Sequence, residues 1–95
     1  MLSVSEMVAT LVREPASLAI AECVARGREP LYERANELLR AAGLQEASKA
    51  ALKATIQALL RAGVLVERQD QYQLTKEGEA ALDRAVDGSG VLIYL

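Results

Sequence analysis

Lys49, Lys53, Gln57 and Arg61 recur at every fourth residue, in a stretch where Leu52, Ile56, Leu59 and Leu60 repeat at helical spacing. Residues four apart lie on one side of a helix, so this pattern stacks three cations and an amide in a row. Such a row suits the attraction of phosphate rather than the making or breaking of bonds. Arg68 extends it in sequence. The charge distribution points the same way. Residues 48–76 hold Lys49, Lys53, Arg61, Arg68 and Lys76 against only Glu67 and Asp70, while the whole chain carries a formal net charge of -2. An acidic chain that gathers its positive charge in one segment presents a patch that attracts polyanions.

Other reactive residue types lead elsewhere. Glu33 and Glu37 stand one helical turn apart, the spacing of a carboxylate pair for acid–base work, but Arg34 and Arg40 interleave with them. That mixture reads as a solvated helix face. Cys23 is the single cysteine and there is no histidine, which excludes an internal disulfide, a cysteine-based zinc site and imidazole chemistry. Beside Ile20 and Val24, Cys23 reads as a small buried hydrophobe. No nucleophile–base pairing, glycine-rich phosphate loop or ligand cluster can be assembled. The expectation is a non-enzyme with no cofactor and no metal.

These side chains must be positioned by short elements whose punctuation is plain. Ser3 and Glu6 form a capping-box pattern flanked by Leu2 and Met7, and Val4, Met7, Val8, Leu11 and Val12 follow as an apolar stripe. Pro15 ends this helix and suits the first turn of a second, from about Ala16 to Arg26, with Gly27 as its stop. Pro30 repeats the device before a third helix marked by Leu31, Ala35, Leu38, Leu39 and Ala42, which ends at Gly43. A fourth starts near Gln45 or Ser48 and ends at Ala62, before Gly63. Val64, Leu65 and Val66 are strand-like, Glu67 to Gln71 is a polar tip, and Tyr72 to Leu74 return. Thr75 can cap a last helix with Glu77 and Glu79 in its first turn and Ala81, Leu82, Ala85 and Val86 facing inward.

At 95 residues, with 52% apolar but 3% aromatic content and no Phe or Trp, one small domain is expected, with a core of Leu, Val, Ile and Ala. A domain this size often gains from a second subunit. Met1 to Val12 alternates apolar and polar residues, unlike a signal peptide, and no apolar run reaches bilayer length. A cytoplasmic location without membrane contact is expected. Asp87-Gly88-Ser89-Gly90 reads as a flexible break before the apolar tail Val91 to Leu95. Either the tail folds back on its own domain or it docks on a second subunit by edge pairing.

From Ser48 to Ala85 the chain reads SKAALKATIQALLRAGVLVERQDQYQLTKEGEAALDRA. This stretch resembles the recognition helix, wing and closing helix of winged helix-turn-helix domains, as in MarR-like and PadR-like transcriptional regulators. Leu52, Ile56 and Leu59 match the positions that seat the recognition helix. Ala62 to Arg68 is similar to the helix stop and first wing strand, and Tyr72 to Gly78 to the second strand and closing helix. The resemblance implies a mainly helical fold with a small β-wing: one winged-helix domain over residues 1–95, with an N-terminal helix at 1–14, a core at 15–86 and a break and tail at 87–95. It implies a small transcriptional regulator that binds double-stranded DNA as a homodimer. Lys49, Lys53, Gln57 and Arg61 would approach the major groove or its phosphates, and Arg68 the backbone beside it. Ala50 and Ala54 stand where relatives often carry polar readers, and alanine offers no hydrogen bond to a base edge. The subunit interface is expected to use Val4, Met7, Val8 and Leu11 with Val91, Ile93 and Tyr94. The alternative is a protein-interaction winged helix, whose Ala-rich helix face and tail dock on a larger complex without DNA.

Overall fold

A computed structural model describes residues 2–89 as five helices and one hairpin. The first helix, α1 (Val4–Arg13), opens on the expected capping box: the Glu6 N–H donates to Ser3 Oγ at 3.2 Å, and the Ser3 N–H donates to Glu6 Oε1 at 3.0 Å. Pro15 starts α2 (Pro15–Ala25), where its missing N–H leaves no bond unmade. Ser17 through Cys23 are all buried. A helix that is apolar nearly all round belongs at a centre, and α2 touches α1, α3 (Leu31–Ala41), α4 (Lys49–Arg61), α5 (Lys76–Ser89) and the second strand of the hairpin.

Between α3 and α4 the chain runs through an irregular segment tied down by α3. The Asn36 amide exchanges two hydrogen bonds with the Ala47 backbone, at 2.9 and 3.0 Å, and Arg40 Nη1 meets Glu46 Oε2 at 2.8 Å. Ser48 then caps α4 by accepting from the Ala51 N–H at 3.1 Å. Leu52, Thr55, Ile56 and Leu59 form the buried face of α4, and Gly63, at φ 80°, ends the helix in the left-handed conformation glycine adopts without penalty.

The strands β1 (Leu65–Arg68) and β2 (Gln71–Leu74) pair antiparallel, with Leu65 opposite Leu74 and Arg68 opposite Gln71. The chain is thus a mainly helical domain with a small two-stranded β-wing. The strands reach further than the polar run suggested. Glu67 and Arg68 pair with Tyr72 and Gln71, and the tip shrinks to Gln69 and Asp70 at φ 52° and 63°. Two successive left-handed residues give the turn whose twist matches that of paired strands, so polarity marked an exposed hairpin rather than a long loop.

Thr75 joins the wing to α5. Its Oγ1 accepts from the Gly78 N–H at 2.9 Å, capping the helix, and donates to the Gly63 carbonyl at 2.5 Å, while its N–H donates to the Val64 carbonyl at 3.0 Å. One side chain therefore fixes the end of α4 relative to the start of α5. Ala81, Leu82 and Ala85 seat α5 on the core, and its most extensive packing is with α1. The expected break at Asp87 is corrected. α5 continues through Asp87, Gly88 and Ser89, because glycine costs a docked helix only about 1 kcal/mol.

Candidate nucleic-acid interface

Lys49, Lys53, Gln57 and Arg61 all lie exposed on α4, and Arg68 lies exposed at the end of β1. Each four-residue step advances about 40° round the helix axis, so the row winds through about 120° rather than running straight. Its two ends face different surroundings. Lys49 leans toward α3, lining a shallow depression with Tyr32, Asn36, Arg40 and Glu46. Lys53, Gln57 and Arg61 point progressively further from the buried face, with Ala50 and Ala54 exposed beside them. Arg68 shares a hairpin face with Val66, opposite the face that buries Leu65.

The ion pairing separates two populations of cations. Among the described residues, Arg26 pairs with Glu22, Arg34 with Glu37 at 3.1 Å and Glu33 at 3.7 Å, and Arg40 with Glu46. Lys49, Lys53, Arg61 and Arg68 enter no ion pair among those residues. Arg26, Arg34 and Arg40 are thus engaged within the chain, whereas α4 and the wing leave their cations to solvent or to a partner, and so are Arg13, Arg28, Lys76 and Arg84 left elsewhere on the described surface. Glu33 and Glu37, the candidate carboxylate pair, both lean on Arg34. The Arg40 pKa is raised by its hydrogen bond to Glu46 and the carboxylate charge behind it. No group of three or more histidine, cysteine or acidic side chains is placed to hold a metal among the described residues.

A second surface of α4 carries no charge. Ala51, Ala54 and Ala58 line a groove of about 690 Å³ whose other wall includes Pro15, Ala16 and Leu44. Leu44, at 37% exposure, and Val12, at 47%, are the most exposed large apolar side chains among the described residues.

The expected subunit interface is corrected in part. Met7 and Leu11 are 0% exposed within the single chain, because α1 spends its stripe on its own core, chiefly against α5. Only Val4 and Val8, both half-buried, retain surface from that set. Val91, Ile93 and Tyr94 lie outside the described residues. No described helix is long and apolar enough to cross a membrane.

Two features were missed in the sequence. Tyr32 and Tyr72 line one cleft between the α2–α3 corner and the wing, although they stand far apart in the chain. Gly78 is buried where an added Cβ would meet the Val64 carbonyl oxygen at 2.2 Å. The first has no sequence signal; the second had one, a glycine in the first turn of an otherwise good helix. No protein-family profile, curated protein or solved structure matches the chain.

Proposed function

We propose that the chain is a winged-helix DNA-binding regulator that acts in the cytoplasm as a homodimer. In this reading α4 is the recognition helix, and Lys49, Lys53, Arg61 and Arg68 meet phosphates with Gln57 among them. The carrying observation is that these four cations, exposed and unpaired among the described residues, gather on α4 and the hairpin that follows it, while Arg26, Arg34 and Arg40 are each held by a carboxylate. A cation already paired with a carboxylate releases little on meeting a phosphate; an unpaired one displaces counterions from DNA and contributes to affinity. Ala50 and Ala54 beside the row add no hydrogen bond to base edges, so one copy would bind with little sequence discrimination. Two copies on adjacent half-sites would combine weak contacts into useful affinity.

The test is a DNA mobility shift with wild type and the Lys49→Ala, Lys53→Ala double variant at low salt. Comparable weakening on unrelated sequences is expected, because the lysines act through charge. Equal affinity of the two proteins would remove the α4 row from the interface.

The Ala-lined groove supports a second reading, in which this chain is a protein-interaction module and α4 packs against another polypeptide. Small side chains let a partner helix approach closely, and Leu44 and Val12 add exposed apolar surface. Absence of any DNA shift at low salt, with a folded protein, would favour this reading.

A further inference from the structure

A cleft of about 1000 Å³ lies away from the α4 row, between the α2–α3 corner and the wing. Buried Cys23 and Ile56 reach its floor, and half-buried Tyr32 and Tyr72 contribute to its walls. These are two of only three aromatic residues in the chain. In a core that lacks Phe and Trp, both described aromatics sit half exposed in one depression instead of filling the interior. An apolar floor with a few polar groups at the rim is the usual make-up of a small-molecule site.

The rim sets the charge of the occupant. Arg26 is engaged by Glu22, and Glu33 leans on Arg34. That leaves Arg28 against Glu29 and Asp70 at the cleft edge. Glu67 adds to the acidic side: it stands directly opposite Tyr72 across the hairpin, on the same face. Burial, then the Glu67 charge, then Tyr32 raise the Tyr72 pKa, which keeps the phenol neutral. Electron-rich ring faces beside surplus carboxylates favour a cation.

We propose that this cleft binds a small planar organic cation, held by the rings of Tyr32 and Tyr72 and by the carboxylates of Glu29 and Asp70. The site is independent of the DNA reading, since none of its lining residues belongs to the basic row. It is also coupled to the wing, because Asp70 and Tyr72 belong to the hairpin that the ligand would hold against α3.

Three probes with one ring system separate charge from stacking: N-methylacridinium, neutral acridine and acridine-9-carboxylate, titrated against the full chain at pH 7 and followed by probe fluorescence. The cation should bind about tenfold more tightly than the carboxylate, a difference worth about 1.4 kcal/mol. Tyr72→Leu and the double change Glu29→Gln, Asp70→Asn should each weaken the cation about fivefold, in line with single cation–π and exposed charge contacts. Arg28→Gln should strengthen it. Circular dichroism of each variant establishes that it is folded, and Tyr32→Leu provides a second ring deletion if Tyr72→Leu is not. Equal binding of the three probes, or binding unaffected by both ring and carboxylate changes, would overturn the proposal.

Discussion

Gly78 and Cys23 show how single residues constrain this fold. At Gly78 a methyl group would press on a backbone carbonyl that already accepts the Thr75 N–H, and neither partner is a flexible side-chain tip that can move aside. Gly78→Ala normally favours a helix, yet here it should destabilise by about 1–3 kcal/mol, the usual cost of overpacking, read as a lower urea midpoint at unchanged slope. Cys23 is 0% exposed, and burial pushes its thiol from the ordinary 9.0 up to about 11, with the Arg28 charge opposing and Glu22 reinforcing the shift. A raised acid pKa means the folded state holds its proton after the unfolded chain has lost it. The resulting stabilisation is full below about pH 9 and is lost as pH rises toward 11. Unfolding titrations over that interval should show falling stability in the wild type, and Cys23→Ala should flatten the fall relative to wild type. An identical profile in the two proteins would show that the thiol is not desolvated.

Much of the element order was legible because the chain punctuates itself. Ser3 with Glu6, Ser48, and glycines at 27, 43 and 63 mark helix ends through the backbone groups they satisfy or the φ they permit, and all three glycines have positive φ. Gly63→Val should therefore cost more than about 1 kcal/mol, and an unchanged unfolding midpoint would show that α4 does not need its left-handed stop. The hairpin tip was less legible, since Gln69 and Asp70 adopt the double left-handed turn without the Asn-Gly signature that usually announces it. Replacing them by Asn-Gly should raise stability by roughly 0.5–1 kcal/mol as the strained φ is relieved, measurable as a higher melting temperature. The end of α5 was misjudged because Gly88 reads locally as a breaker, whereas the helix is held by packing upstream at Ala81, Leu82 and Ala85. The α4 row was readable from its period alone. Its separation from the paired arginines, and the meeting of Tyr32 with Tyr72, depend on contacts between distant elements that no local pattern encodes.

At the scale of the whole molecule, the proposed function rests on positive charge left unpaired on α4 and the wing, available to nucleic acid phosphate. Packing assigns the remaining surfaces differently: α1 is consumed by α5, α2 by the interior, and Arg26, Arg34 and Arg40 by neighbouring carboxylates. What the α4 row and the wing offer to DNA is electrostatic, so the proposed affinity must depend steeply on salt. The most direct measurement is the equilibrium constant for a short DNA duplex as a function of salt concentration, for wild type and for the Lys49→Ala, Lys53→Ala variant. Each phosphate neutralised adds about 0.9 to the slope of log K against log salt. A steep wild-type slope is expected, falling by roughly 2 in the double variant, one for each lysine removed. A folded wild-type chain that shows no duplex binding at low salt, or equal slopes for the two proteins, would contradict the proposed function.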